Sequence, residues 1–295
     1  MRGKKLAFIF TEHKPGTYYY QLQSGLFESF STLAKNFEVM VFAYSDQLNV
    51  IRRGNFDINL RNTDKSVAFA VNQYFEPTHA FFVGNVDFDF EKLNIPKKTP
   101  KYLIHKGTKH KEELYDYFDG VIVETIEEKE NYKRAVVNSV VNTKAYYPQL
   151  TDKYFTFCFP QDLTPSKLEF FSKVRVYGSI SQTLNSTVKL PLESTETLAT
   201  VINQSKAMSL IEDTDDSYEL ALSALACNVP VLATTDSKAS KIPAVVKSVA
   251  TTPDFTVAML EALNLENKHN FRDDYIMPNY TPKAYSKVIM DMIYD

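Results

Sequence analysis

The segment YELALSALACNVPVLATTD, residues 218–236, leaves a folding chain few options. Leu220, Ala221, Leu222, Ala224, Leu225 and Ala226 make a helix apolar on most of its surface. Only Cys227 and Asn228 separate it from the apolar run of Val229, Pro230, Val231, Leu232 and Ala233. A helix apolar nearly all round is a buried helix. A short continuous apolar run is a strand covered on both faces. A layered α/β domain satisfies both, with the sheet inside.

The rest of the chain repeats the alternation. KLAFIF, FEVMVFAY, HAFFVGN, KYLIHKG and FDGVIVET are apolar, β-branched or aromatic runs, hence strands. Helical spacing lies between them, as in Leu22, Leu26, Phe30 and Leu33, in residues 65–75, and in IEEKENYKRA before the strand-like VVNSV. The pattern restarts with KYFTFCF, then a TPSKLEFFSK helix capped by Thr164 with Pro165 in its first turn, VRVYGS, STETLATVINQS and KAMSLI. After the 218–236 segment come AVVKSVAT, the helix TPDFTVAMLEAL and a terminal helix with Thr281 as cap and Pro282 at its first position. Strands joined by helices imply parallel sheets with crossovers. The expected fold is α/β, two Rossmann-like domains facing each other across a cleft at the carboxyl ends of their strands. The expected domains are residues 1–148 and 149–281, with a hinge within 142–153 and helix 282–295 packing back on the first domain.

Composition narrows the functional classes. The chain has 295 residues, 44% hydrophobic and 23% charged, enough for two cores. No run of 18 apolar residues is present, so no membrane insertion is expected. Cys158 and Cys227 lie in apolar runs and read as reduced core thiols of a cytoplasmic protein (host cytoplasm, were the chain viral). The net charge is −3, split as +2 over residues 1–148 and −5 over the remainder, so neither half is a polycation. There is no Gly-x-Gly-x-x-Gly, no Walker loop and no zinc spacing, which disfavours oxidoreductases and NTPases.

DDSYELALSALACNVPVLATTD resembles the donor-domain segment of retaining GT-B glycosyltransferases, which reads like E-G-F-G-x-x-x-x-E-A-x-A-C-G-x-P-V-V-A-T. SVVNTKAYYP at 139–148 looks like the segment that closes the first domain in that family, and YFDGVIVET like the strand before it. The resemblance implies a nucleotide-sugar co-substrate, UDP-linked in kind, with the donor diphosphate at the amino end of the 218–226 helix. The family's second Glu, which holds the donor ribose, falls on Ser223, and its first Glu on Asp215; the Gly-rich portion is replaced by DSYE. The implied donor-binding residues are Gly16, Lys167, Asp215, Ser217, Tyr218, Glu219 and Ser223. Asp216 and Glu219 also fit a capping-box-like pair. The acids Glu212, Asp213, Asp215 and Asp216 could place a divalent ion at the phosphates, but the family usually works without metal, and no cofactor is expected.

FTFCFPQDLTPSKLEFFSKVRVYGS looks, in order of elements, like the second domain of bacteriophage enzymes that glycosylate hydroxymethylated bases of their own DNA. The usual diphosphate arginines are missing there, and only Lys167 is near. That likeness makes DNA a candidate acceptor. Residues 92–111 hold seven lysines and two histidines, with Lys98, Lys106 and Lys109 as candidate phosphate contacts. The catalytic candidates sit at expected strand ends: His105 in YLIHKGT, His13 in TEHKPGT beside Glu12, Lys14 and Gly16, and Asp87, with Asp89, in GNVDFDF. The rival readings are a glycan- or lipid-directed enzyme of the same fold and a non-catalytic binding module with a degenerate donor site. Sugar, stereochemical outcome and oligomeric state stay open.

Overall fold

The computed structural model describes residues 3–11, 24–46, 48–107, 109, 111–114, 116–159, 188–190, 194–211, 216–249, 252–266 and 268–294. The chain divides into two units. The first comprises residues 1–16, 26–139 and 282–295, the second residues 17–25 and 140–281.

The first unit is built on an eight-stranded sheet in the order β3-β4-β2-β1-β5-β6-β7-β8. Its strands are β1 (Lys5–Phe10), β2 (Glu38–Tyr44), β3 (Asn49–Arg53), β4 (Phe56–Arg61), β5 (His79–Gly84), β6 (Lys101–His105), β7 (Gly120–Val123) and β8 (Ala135–Val137). All neighbours are parallel except β3 and β4. β1 lies between β2 and β5, pairing Phe8 with Val41 on one side and Phe81 on the other. That central position explains its unbroken apolar run, since both faces are covered. Phe8 stacks on Phe30 of helix α1 (Ser24–Leu33) and on Phe81. Helix α2 (Asp64–Phe69) opens on a capping box between Thr63 and Ser66 and continues as a π-turn through Phe75.

Two local expectations change here. The β3–β4 hairpin was not anticipated; Gly54 and Asn55 turn it, Gly54 at φ +61°. IEEKENYKRA forms only one helical turn, α3 (Ile126–Lys129). Beyond it Lys133 and Arg134 are exposed and only Tyr132 is buried, so there is no apolar stripe to hold further turns against the sheet.

The second unit has a five-stranded parallel sheet in the order β10-β9-β11-β12-β13. The strands are β9 (Phe155–Phe159), β10 (Val188–Lys189), β11 (Ser205–Leu210), β12 (Val231–Thr234) and β13 (Val246–Ser248). Helix α4 (Thr195–Asn203) starts at a Ser194 cap, whose hydroxyl accepts from Thr197 N at 3.0 Å. Helix α5 (Ser217–Ala226) joins the core on one face of the sheet, while Phe255, Met259 and Ala262 of α6 (Thr252–Leu265) fill the other. Helix α7 (Pro282–Tyr294) begins with its proline and belongs to the first unit.

All ten residues of α5 are buried, as its composition demands. Its abrupt end has a specific cause. Asn228 adopts a left-handed conformation, φ +58°. Asn228 N then donates to Leu225 O and Val229 N to Ala224 O, the paired bonds of a Schellman motif. The Asn228 side chain accepts Arg272 N at 2.7 Å, and the Arg272 guanidinium donates to the carbonyls of Ala226, Thr143 and Tyr146. The chain can therefore enter β12 at once with the last helical carbonyls satisfied. Cys158 and Cys227 are free and buried, and burial pushes both thiols up to about 12.

Candidate functional site

In an open parallel sheet, ligands collect where the strand order reverses, at the carboxyl ends. In the first unit that reversal falls between β1 and β5. Thr11 follows β1 and donates its N–H to Val83 O at 2.9 Å. Beside it Gly84 ends β5 at φ +143°, and a Cβ there would run into Thr11 Oγ1. Glycine is thus required twice over, for the backbone angle and for the approach of the neighbouring strand end. Gly84→Ala is expected to destabilise the chain by about 1–3 kcal/mol; an unchanged melting temperature would show that the two strand ends can separate freely.

Past these strand ends lies a depression of about 300 Å³, lined by Thr11, Asp64, Asn85, Asp87, Asp89 and Lys92 among others. Asp87 N is held by Asn85 Oδ1 at 3.0 Å. The Asp87 carboxylate accepts from Lys109 Nζ at 2.7 Å and lies 3.7 Å from Lys111 Nζ. The Lys109 hydrogen bond holds the Asp87 carboxyl below its ordinary range, against a smaller opposing effect of burial. Asp64 accepts from Tyr44 Oη at 2.7 Å, and burial first, then Asp64, pushes that phenol up.

The neighbouring strand ends carry a buried charged group that sequence reading did not assemble. Lys106, after β6, pairs with Glu124, after β7, at 2.6 Å, with side chains 9% and 1% exposed. Glu128 is buried too; its Oε2 accepts the N–H groups of Glu124 and Thr125 at 2.9 and 3.0 Å. Thr125 Oγ1 returns the favour to Glu128 N, completing a capping box. The signal was present as Thr-x-x-Glu directly after a strand, in ETIEE. His105 has no exposed surface; its Nε2 meets Lys109 O at 3.0 Å and its Nδ1 lies 3.8 Å from Glu128 Oε1.

This geometry corrects three expectations. His105 is enclosed, with one ring nitrogen on the carbonyl of Lys109 and the other facing a carboxylate, so its ring is not open to solvent as a strand-end base was expected to be. Lys106 is buried in an ion pair and cannot meet a solvent-borne phosphate. Lys98 lies before β6 and His105 at its end, so the five-residue strand puts them at opposite edges of the sheet, roughly 15 Å apart. The lysine-rich stretch is therefore not one surface. Lys109 is exposed and sits at the depression, paired with Asp87.

In the second unit the strand order reverses between β9 and β11, and α5 follows β11. Ser217, Tyr218, Glu219 and Ser223 are all buried on this helix. Burial pushes the phenol of Tyr146 up. Ser223 is 2% exposed. Asp216 stands at the N-cap with φ −95° and ψ −5°, helical angles rather than the extended ones of a side-chain cap, so the expected capping pair with Glu219 does not form in that geometry. Against α5 packs the 3-10 turn Lys238–Lys241, which carries a buried lysine, Lys238, past the end of β12. Sequence reading passed over it, although TTDSKAS is a polar cluster at a buried strand's carboxyl end.

His13, Gly16, Lys167 and Asp215, with Glu12, Lys14, Glu212 and Asp213, lie outside the described residues. Among the described residues no group of three or more His, Cys, Asp or Glu side chains is placed to hold a metal ion. Among the same residues no helix is long and apolar enough to cross a membrane.

No family model matches the chain, and no curated protein matches it in sequence. Solved structures do. A sucrose-phosphate synthase from Thermosynechococcus elongatus superposes with TM-score 0.67 at 12% identity, over 99% of this chain and 98% of that one. HepE from Anabaena, in complex with UDP and glucose, gives TM-score 0.67 at 10% identity over 99% and 100%. An α-glucosyltransferase in complex with UDP and a 13-mer DNA containing a central A:G mismatch gives 0.62 at 9% identity over 99% and 100%. The fold is that of the GT-B glycosyltransferases, with two Rossmann-like domains.

Proposed function

We propose that this chain is a glycosyltransferase that moves a sugar from a UDP-linked donor to a hydroxyl, with a hydroxymethylated base of DNA as the acceptor. The observation that carries the reading is α5: a helix buried over all ten residues, starting where the second sheet's strand order reverses. In the proposed complex its amino end, with the positive end of the helix dipole, stabilises the charge that grows on the leaving diphosphate. Ser217, Tyr218 and Glu219 form that first turn, and the 3-10 turn packed against α5 carries the buried Lys238. In the first unit Asp87 is the candidate base, open to solvent and oriented by Asn85 and Lys109. Support for UDP comes from neighbours bound to UDP or UDP-glucose along their full length, and support for DNA from the one that holds it.

Two experiments test this. UDP at about 100 times its dissociation constant should stabilise the folded chain by about 2.7 kcal/mol, read as a rise in melting temperature. If no nucleoside diphosphate shifts the melt, the donor reading fails and a binding module for other ligands is favoured. Label from UDP-glucose should pass to hydroxymethylated DNA and not to unmodified DNA or to glycans. Label on a glycan alone would remove the DNA acceptor and keep the transferase.

A further inference from the structure

The first unit has a second depression, at the edge of its sheet opposite Asp87. It measures about 720 Å³ and lies where β6, β7 and β8 begin. Pro100 precedes β6, Asp119 and Gly120 open β7, and Arg134 precedes β8. Its size is that of a small-molecule site.

The lining is cationic. Lys129, Lys133 and Arg134 contribute three positive charges and Asp119 one negative. Asp119 is already used, since its Oδ2 accepts Lys101 N at 2.8 Å. Lys133 is held by Asp116 at 2.6 Å. Lys129 and Arg134 are exposed, and neither forms an ion pair with any described residue. Two cations thus face one depression with their donors open, beside apolar surface from Val136 and Met292. The floor is shaped by a missing side chain. A Cβ on Gly120 would stand 2.7 Å from Met292 Cε and 3.3 Å from Tyr102, so these two side chains pack directly over β7 at the glycine. Tyr102 Oη donates to Met292 O at 3.0 Å and fixes that wall.

We infer that this depression binds a phosphomonoester, with Arg134 and Lys129 on the phosphate. A guanidinium and an ammonium lining one depression suit a compact dianion better than a carboxylate or a neutral sugar. The apolar wall leaves room for an organic group on the phosphate. The site lies on the edge away from Asp87 and uses no residue assigned to donor or acceptor, so the inference stands independently of the proposed transfer reaction.

The test is calorimetric titration of the full chain with AMP and, separately, inorganic phosphate, each with and without excess UDP. One site per chain that UDP does not displace is expected. Lys129→Ala/Arg134→Ala should weaken it by about 10-fold or more, since two charge-assisted hydrogen bonds are lost. Both side chains are exposed, so this variant should fold, and UDP affinity and sugar transfer should stay at the wild-type level. Val136→Glu, which sets a carboxylate on the exposed wall, should weaken binding likewise. AMP and phosphate binding equally would identify the phosphate as the recognised group; AMP binding more tightly would identify a nucleotide. Binding unchanged in both variants, displaced by UDP, or absent for both probes would overturn the inference.

Discussion

Lys106→Met is expected to lower the unfolding free energy by about 3–5 kcal/mol, the usual cost of removing one partner of a buried ion pair. The remaining Glu124 side chain is 1% exposed and would lose its cation in a place that water does not reach, whether it stays charged or takes up a proton. The size of the effect follows from the asymmetry between breaking a buried pair and replacing it. Lys106→Met with Glu124→Leu should recover most of the loss, because an apolar pair of similar volume carries no desolvation cost. Urea unfolding of the two single variants and the double variant measures this directly. The coupling should also resist salt, since the pair is shielded from solvent ions. If each single change costs under about 1 kcal/mol, the value of an exposed pair, then the two charges are solvated and the packing described here is wrong. A functional consequence follows in the same cycle. Lys106 N is tied to Gly84 O and the loop beyond it carries Lys109 to Asp87. The single variant should therefore loosen the depression as well as the fold.

Much of the architecture was legible because its physical cause is local. KLAFIF, HAFFVG and the 218–236 segment are apolar without alternation, and burial on both faces is what such runs mean. The short connection from α5 to β12 was equally readable, although the left-handed Asn228 and the Arg272 clamp that make it work come from a turn conformation and from a residue 44 positions away. The hairpin was missed although Gly-Asn between two alternating runs was there to see. The site was less legible because it is assembled by topology. Lys98, His105, Lys106 and Lys109 are close in sequence, and charge counting treated them as one surface. A strand intervenes, so Lys98 goes to one edge, Lys106 turns inward to a glutamate 18 residues on, and Lys109 reaches an aspartate 22 residues back. Ser223 shows the complementary limit of sequence: alignment with a family pattern gives a position on a helix, and its burial comes from packing.

Asp87→Asn is expected to reduce sugar transfer by about 10²–10⁴-fold while leaving UDP affinity unchanged, if Asp87 takes the acceptor proton. The amide keeps the side chain's size and its bond to Asn85 runs through the backbone, so the fold should survive. The pH dependence separates this role from a merely structural one. Lys109 donates to Asp87 and holds its carboxyl below the ordinary range, so the base form persists to lower pH than for a free aspartate. The acid limb of kcat/KM should therefore lie below the ordinary aspartate value of about 3.9. Lys109→Ala removes the largest lowering influence, raises the Asp87 pKa and should move that limb to higher pH. Near neutrality both proteins hold Asp87 ionised, so any loss there reports orientation alone. A low pKa also makes a weak base, and a positively charged partner that leaves Asp87 on acceptor binding would restore its strength where the proton moves. An acid limb that stays in place when Lys109 is removed, with Asp87→Asn as active as wild type, would assign the depression to acceptor binding and send the search for the base to Glu12 and His13, which follow β1 in the sequence.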